Sequence, residues 1–394
     1  MAAAYDVVVV GAGIGGLTVG ALLSARGMNV CVLERQSQVG GCIARVEFAG
    51  HEFEPGMGIY TSFGAGEIYA RVFDQLPVDV PQTTMVSRPY VVRLADGTDI
   101  RLRAEDESFD QLRAAFPDPL LRAVERACRP LYEIQGGPAA LAERLAESIK
   151  RSGGTLRLNT PVLRLAYDSS GAAVGVDLLS GEQVLAKGAI VSNLTIWDTY
   201  GKLVGLNRTP PETKKVLNAL HGTGAFVVYA TIEEAAITRL PSERMLIATS
   251  PIGADSESER FTEITIAIYG RTATLTSATD VNDWFTYHAS EEDFEESDQA
   301  MLEHFWTKLH AAVPELGGDI EVIETANPRT FYDSTRRKLG MVLGVQTPDP
   351  QSLKILSPRT SIPNLFVAGD TVSASPDLAS VIEASLSLVS SNDW

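Results

Sequence analysis

Residues 6–16, DVVVVGAGIGG, decide the fold that this chain can adopt. The run DVVVV is short, continuous and rich in β-branched residues, which is typical of a strand buried on both faces of a parallel sheet. The glycines that follow it fit the pattern G-x-G-x-x-G. Leu17–Arg26 then predicts a helix that ends at Gly27, and Asn29–Leu33 predicts a second buried strand. The chain therefore opens with a βαβ unit.

This glycine pattern predicts a site for a dinucleotide. Gly11 permits a tight turn, Gly13 lets the backbone approach a pyrophosphate, and Gly16 lets the helix lie close to the strand. The start of the helix turns unpaired N–H groups and the positive end of its dipole towards the phosphates. Glu34 ends the second strand, where a carboxylate binds ribose hydroxyls and repels a 2′-phosphate. FAD or NAD is therefore favoured over NADP, and a glycine-rich turn without a ligand is the alternative.

The rest of the chain predicts two kinds of sheet. Asp96-Gly97 predicts a hairpin turn, and a helix with one apolar face begins near Pro138. We expect a β-meander at Thr155–Asn159, Val162–Tyr167, Ala173–Leu179 and Gln183–Lys187, followed by a separate buried strand at Ile190-Val191. Residues 206–325 predict an antiparallel sheet and a long helix, at Ala225–Ile232, Arg244–Thr249, Phe261–Tyr269, Thr272–Ser277 and Glu291–Ala312. The end of the chain predicts a strand at Asn364–Ala368 and a helix at Asp377–Ser390.

Val7–Gly41 resembles the N-terminal signature of the flavoprotein superfamily that contains amine oxidases, phytoene desaturases and carotenoid isomerases. Leu365–Asp370 (LFVAGD) resembles the second flavin fingerprint of that superfamily, and its C-terminal segment is most similar to the desaturase and isomerase branch. The resemblance implies that FAD is the cofactor. Further segments resemble the family at His51–Gly56, Gly136–Pro138, Val162, Ser192-Asn193, Asn327–Thr330 and Ala379–Ile382.

The glycine pattern and the resemblance together give a set of predicted FAD-binding residues. In the family an arginine usually follows the Gly-Gly pair, whereas this chain has Cys42 there and its nearest arginine is Arg45. Residues 336–338 (RRK) predict a solvated charge cluster, with a site for an acidic substrate group as the alternative. The full set is Gly11, Gly13, Ile14, Gly15, Gly16, Glu34, Arg35, Gly40, Gly41, Cys42, Arg45, Gly56, Met57, Gly58, Val162, Asn193, Gly369, Asp370, Ala379, Ser380 and Val381.

These elements predict an α/β protein with two domains. A discontinuous Rossmann-like FAD-binding domain, with a parallel sheet and a β-meander, is expected from residues 1–75, 136–205 and 326–394. A substrate domain with a mixed or antiparallel sheet is expected from residues 76–135 and 206–325.

Three residues are candidates for catalysis. Glu54 lies in a segment that the resemblance places near the flavin ring, although a buried carboxylate more often binds backbone groups. Tyr60 is a candidate to line the cavity, with a core tyrosine as the alternative. His221 is a candidate to face the substrate, with a surface loop histidine as the alternative.

The resemblance implies hydride transfer to flavin N5, that is, dehydrogenation or desaturation of a small hydrophobic substrate. The substrate is expected to be small because only about 80 residues separate Gly56 from Gly136, and the carotenoid enzymes are longer there. The sequence has no second glycine fingerprint that would predict an NAD(P)H site. Oxygen, a quinone or a redox protein is therefore the expected electron acceptor. A redox-neutral isomerase or saturase, an amine oxidase and a non-enzymatic flavin-binding protein stay open as alternatives.

Composition and charge limit the partners and the cellular location that we expect for this protein. The net charge of −17 disfavours nucleic acid and anionic lipid as partners. Three cysteines without a CxxC pair, and the lack of a signal sequence or an apolar run of membrane length, predict a cytoplasmic protein. A peripheral contact with a neutral membrane and a homodimer both stay open.

Overall fold

The computed structural model confirms the predicted α/β fold class. It describes residues 4–56, 58–87, 90–102, 129–249, 260–285, 291–342, 344–346, 356–391 and 394. Within these ranges, none of the helices combines the length and the apolar character that crossing a membrane requires.

The described strands and helices are numbered here in chain order. The strands are β1 (Ala4–Val10), β2 (Val30–Leu33), β3 (Val46–Phe48), β4 (His51–Phe53), β5 (Thr83–Met85), β6 (Tyr90–Arg93), β7 (Asp99–Leu102), β8 (Tyr132–Ile134), β9 (Thr155–Arg157), β10 (Val162–Tyr167), β11 (Ala173–Leu178), β12 (Gln183–Ser192), β13 (His221–Ile232), β14 (Arg244–Ala248), β15 (Glu263–Tyr269), β16 (Thr272–Asp280), β17 (Ile320–Ala326), β18 (Val345–Gln346) and β19 (Leu365–Val367). The helices are α1 (Ile14–Ala25), α2 (Ile68–Phe73), α3 (Ala139–Arg151), α4 (Ile196–Asp198), α5 (Pro211–Ala219), α6 (Glu234–Arg239), α7 (Glu291–Ala312), α8 (Pro328–Thr335) and α9 (Leu378–Ser390).

The first sheet carries the glycine motif. Its strands follow the order β10-β11-β12-β1-β2-β9, and β19 pairs with β12. Strands β19, β12, β1, β2 and β9 are parallel, whereas β10 and β11 are antiparallel to their neighbours. Because the carboxyl ends of parallel strands meet at one edge, the segments that follow β1, β12 and β19 lie side by side there.

The structure corrects two details of the predicted meander. Thr155–Arg157 pairs in parallel with β2 at the edge of the sheet, so this strand is not part of the meander. The strand predicted to stop at Lys187 continues to Ser192 without a break, and therefore also includes Ile190-Val191. One long strand first completes the meander and then joins the parallel part of the sheet through β1.

Helix α1 is the centre of the first core. Its residues from Ile14 to Ser24 are all buried, and the helix packs against α3 and α9. Gly20 permits this packing, since a Cβ there would lie 2.9 Å from the Cγ2 of Val32. The helix is apolar all round because helices or strands cover every side of it.

The second sheet has the strand order β17-β13-β16-β15-β14-β6-β7, with β18 beside β13. Its described pairs are antiparallel apart from β14 with β6, so the sheet is mixed. One face packs against α7 through a cluster that includes Phe226, Trp284 and Phe305. The opposite face turns towards the carboxyl edge of the first sheet.

The sequence analysis did not identify several short elements. These are α4, α5 and α6, the π-helical turn Thr199–Gly205, and the small pairs β3–β4 and β5–β8. The strands of the second sheet come from residues 90–102, 221–280 and 320–326, with β18 beside them. The division into two domains at the predicted boundaries stays a prediction.

Candidate active site

A cavity of about 1090 Å³ lies between the two sheets. It is at the upper end of the range for small-molecule sites, so it has room for more than one drug-sized group. One wall contains the carboxyl edge of the first sheet, and the other contains the inner face of the second sheet. The predicted residues that line it are Gly11, Gly13, Ile14, Gly15, Glu34, Arg35, Gly40, Gly41, Cys42, Gly56, Gly58, Tyr60, Val162, Asn193, Gly369, Asp370 and Val381.

Three glycines of the motif, Gly13, Gly15 and Gly16, have no room for a Cβ. A Cβ on Gly13 would lie 2.5 Å from the Nδ2 of Asn193, and one on Gly15 would lie 2.9 Å from the backbone nitrogen of Gly369. A Cβ on Gly16 would collide with the carbonyl oxygen of Gly11. Gly16 is therefore buried behind the wall, where it lets the helix lie close to the strand, as the sequence predicts.

The wall is flat backbone at the N-terminus of α1. The helix cap at Gly13 makes no side-chain hydrogen bond, so the first N–H groups of the helix face the cavity without a protein cap. A backbone cradle at a helix N-terminus suits a pyrophosphate, both in shape and in charge. The residues of this wall therefore fit the phosphate part of FAD.

Glu34 is held firmly at the end of β2. Its Oε2 accepts a hydrogen bond from the N–H of Ala12 at 2.7 Å, and its Oε1 accepts one from the N–H of Gln36 at 2.8 Å. The carboxylate therefore ties the glycine loop to the second strand and lines the cavity. Its remaining lone pairs can accept hydrogen bonds from ribose hydroxyls, and Val162 lines the cavity nearby.

Asp370 and Arg337 form an ion pair inside the cavity, and this corrects the predicted solvated cluster. The Nη2 of Arg337 lies 2.5 Å from the Oδ2 of Asp370, and both side chains are less than a fifth exposed. Cys42 lies in the electrostatic field of this pair, and burial raises the pKa of its thiol. Arg336, the residue before, is half exposed and pairs with Asp333. Only one of the two adjacent arginines is therefore solvated.

The structure places Arg45 away from the cavity lining. Its guanidinium pairs with Glu52 at 2.7 Å and with Glu143 at 2.8 Å, and its side chain is 43% exposed. Two surface carboxylates therefore hold the side chain outside the cavity lining, and the contact of Arg45 with a phosphate stays a prediction.

The start of α9 meets the cavity at fewer positions than predicted. Asp377 caps this helix by accepting from the N–H of Ser380 at 2.9 Å. Leu378 and Val381 line the cavity, whereas Ala379 and Ser380 do not. Met57 lies outside the described residues.

Two of the three catalytic candidates come together. The Tyr60 hydroxyl donates a hydrogen bond to the Oε1 of Glu54, and both residues are 7% exposed. Burial raises the pKa of Glu54 to about 7, while the bond from Tyr60 and the charge of Arg244 oppose the rise. Tyr60 lines the cavity and Glu54 lies behind it. The third candidate, His221, is exposed at the start of β13 and lies outside the cavity lining, as its alternative of a surface histidine describes, and a catalytic role for it stays untested.

The wall from the second sheet was not predicted from the sequence. It is made of alternate residues of four strands, which share one face because side chains alternate along a strand. Val227 pairs with Thr276, and Ala225 pairs with Ala278 on the neighbouring strand. The signal in the sequence was this alternation, but it does not tell which face is turned inwards. The residues are Thr223, Ala225, Val227, Leu246, Glu263, Thr276 and Ala278.

Two polar groups stand out on this wall. The Oγ1 of Thr276 is buried and has no hydrogen-bond partner in the part of the chain that the structure describes. Burial alone raises the pKa of Glu263, and no ion pair joins it to another described residue. Both residues line the cavity, but because the Oγ1 of Thr276 is fully buried, only the Glu263 carboxyl can be reached by a polar group of a bound molecule.

Comparisons with known proteins agree with this geometry. The profile described as "Flavin containing amine oxidoreductase" matches residues 119–377, and the profile described as "NAD(P)-binding Rossmann-like domain" matches residues 9–76. Human all-trans-retinol 13,14-reductase is 21% identical over 93% of this chain and 82% of its own length. Carotenoid 3,4-desaturase of Haloarcula japonica is 31% identical over 106 residues, 27% of this chain and 21% of that protein.

A solved structure shows the same fold. An oxidoreductase from Methanosarcina mazei superposes with a TM-score of 0.67 at 16% identity, over 98% of this chain and 99% of that one. Since the amine oxidoreductase profile covers well over half of the chain, the predicted flavoprotein resemblance is confirmed, and the non-enzymatic alternative is not retained. The chain belongs to the flavin-containing amine oxidoreductase family and is an FAD-dependent oxidoreductase.

Proposed function

We propose that this enzyme dehydrogenates a small, largely hydrophobic organic substrate. The observation that carries the proposal is the buried pair of Tyr60 and Glu54 beside the cavity. Bound FAD supplies the acceptor for a hydride, which is chemistry that side chains lack. The protein then has to position the substrate, exclude water and take up one proton.

Tyr60 and Glu54 are suited to take that proton. Tyr60 lines the cavity and its hydroxyl donates to Glu54. When the Tyr60 oxygen takes a proton from the substrate, its own proton can pass to the Glu54 carboxylate. Because its pKa is raised to about 7, Glu54 can accept and release a proton near neutral pH. The substrate would lose a hydride from one carbon and a proton from the neighbouring atom, which leaves a new double bond.

The second wall supports a compact substrate. Ala225, Ala278 and Val227 give a smooth apolar surface, and Leu246 extends it. Such a surface suits an apolar body, whereas the Glu263 carboxyl offers one polar contact on it.

Anaerobic mixing tests the proposal. The holoenzyme is mixed with a panel of small hydrophobic alcohols, amines and partly saturated isoprenoids, and the flavin absorption is followed. At least one class should bleach the flavin, and Tyr60→Phe and Glu54→Gln should slow bleaching by about 100-fold or more while FAD stays bound. If none bleaches a flavin that dithionite still reduces, dehydrogenation of these classes is ruled out.

The reverse reaction, saturation of a double bond, is the second candidate. It is favoured by the reductase, since that relative matches nearly the whole chain. Chemically reduced holoenzyme would then be reoxidised by an unsaturated compound without oxygen. A redox-neutral isomerase would instead need reduced flavin and show no net reoxidation, and amine oxidation would release hydrogen peroxide from the amines of the panel.

The electron acceptor of the dehydrogenation is also proposed. After anaerobic reduction by a substrate, oxygen, a soluble quinone or a small redox protein is added, and the recovery of the flavin bands is timed. Fast recovery with one of these identifies the acceptor class.

A further inference from the structure

Arg337 is a largely buried cation that lines the cavity and pairs with Asp370. We propose that Arg337 binds the pyrophosphate of FAD, in a chain that has Cys42 directly after its Gly-Gly pair. This inference concerns the binding of the cofactor, so it does not depend on the reaction proposed above.

The local structure fixes the guanidinium. Helix α8 begins at a capping box formed by Asn327 and Thr330, and ends at Arg336 in a left-handed conformation. The Nε of Arg337 then donates to the carbonyl oxygen of Met341 at 2.6 Å. A Cβ on Gly340 would collide with the carbonyl oxygen of Pro328, so the turn is tight. The side chain is therefore held from two directions before any ligand binds.

The guanidinium lies at the glycine wall. Its partner Asp370 follows Gly369, whose backbone nitrogen lies 2.9 Å from the position of a Cβ on Gly15. The charge of Arg337 acts on the thiol of Cys42, the residue after Gly41. Gly41 in turn packs against the Cα of Gly13. Arg337 therefore contacts one of the loops that flank the N-terminus of α1, through Asp370, and lies close enough to the other to affect Cys42 electrostatically.

The negative charges of the pyrophosphate and of the Asp370 carboxylate call for a cation between them. A pyrophosphate carries negative charge, and the carboxylate of Asp370 beside it would repel the ligand if it were not neutralised. The Nη1 of Arg337 makes no hydrogen bond to any residue that the structure describes, so its donors are available to phosphate oxygens. Arg45 is engaged by Glu52 and Glu143 on the surface.

Titration of the FAD-free protein with FAD and with riboflavin tests the proposal, since riboflavin lacks the pyrophosphate. The variant Arg337→Gln loses the charge-assisted hydrogen bonds to the pyrophosphate. Its Kd for FAD should therefore rise about ten-fold or more, whereas its Kd for riboflavin should stay unchanged. Arg144→Gln is the matched control, because Arg144 is half exposed, pairs with Glu147 three positions further along the chain and lies outside the cavity lining; it should change the Kd for FAD by less than about two-fold.

Equal weakening of FAD and riboflavin would overturn the proposal, because Arg337 would then only position Asp370. An unchanged Kd for FAD would overturn it as well. A second variant guards against misfolding: adding Cys42→Arg to Arg337→Gln should restore FAD binding, since it returns a cation to the same gap. If the double variant folds, as judged by circular dichroism, and still binds FAD as weakly as Arg337→Gln, the charge is not what matters and the proposal fails.

Discussion

The two walls of the cavity are built on different principles. The wall from the first sheet is backbone: glycines and helix N–H groups at the ends of β1, β12 and β19. The wall from the second sheet is made of side chains: alternate residues of the four consecutive strands β13 to β16. A backbone wall tolerates almost no substitution, whereas a side-chain wall can change residue by residue while its strands stay the same. The first wall therefore fits the cofactor, and we propose that the second binds the substrate.

The largest effect is expected where the comparison is strictest, at Gly15. Alanine is a better helix former than glycine, but its Cβ would meet the backbone of Gly369 at 2.9 Å. We expect Gly15→Ala to weaken FAD binding by about 10- to 100-fold, because overpacking against backbone costs about 1–3 kcal/mol. The measurement is a fluorescence titration of FAD-free protein.

Gly318→Ala is the control for this change, because no atom lies within 4 Å of a Cβ at that position. It should leave the Kd for FAD unaltered. Normal FAD binding by Gly15→Ala would show that the first wall adapts as easily as the second, and the contrast between them would be lost.

The next effect, on stability rather than on FAD binding, is expected at Glu54, which lies behind the cavity. Burial raises the pKa of this carboxyl from 4.5 to about 7, so the folded protein keeps the proton while the unfolded chain releases it. The stability of the wild type should therefore fall as the pH rises from about 4.5 to about 7, by an amount on the order of 3 kcal/mol relative to Glu54→Gln.

Thermal unfolding of both proteins between pH 5 and pH 8 checks this sign. As the pH rises, the midpoint temperature of unfolding of Glu54→Gln should increase relative to that of the wild type. Parallel curves would mean that Glu54 is not perturbed, and the proposed proton path would lose its acceptor.

The smallest effects should come from the second wall. Thr276→Val removes a buried hydroxyl that has no described partner, and Glu263→Gln removes a carboxyl whose pKa burial raises. Each should keep or raise the stability at pH 8, by about 1 kcal/mol at most, and neither should alter the Kd for FAD. The same FAD titration measures the affinity of each variant. A clear loss of FAD affinity in either one would contradict the claim that the two walls have separate roles.

The sequence predicted the first wall well because its information is local. Gly11, Gly13, Gly16 and Glu34 stand at fixed distances within one βαβ unit, so the spacing alone gives their roles. The strand and helix that follow Pro363 were likewise placed to within a residue or two. The binding contacts of FAD themselves stay predictions.

The second wall and the ion pair of Arg337 could not be predicted in this way. Thr276 faces the cavity only because β16 pairs with β13 in a particular register, and no local pattern fixes that register. Arg337 looked solvated because two basic neighbours flank it, and its partner Asp370 lies 33 positions further along the chain. Charge clusters in the sequence do not show which member the fold buries.

The absorption spectrum of the purified wild type, recorded before and after unfolding, tests the central claim most directly. That claim is that the first wall binds FAD. We expect flavin bands from one FAD per chain, released on unfolding, and much less FAD in Gly15→Ala purified in parallel. A colourless wild type that does not take up added FAD would contradict the account.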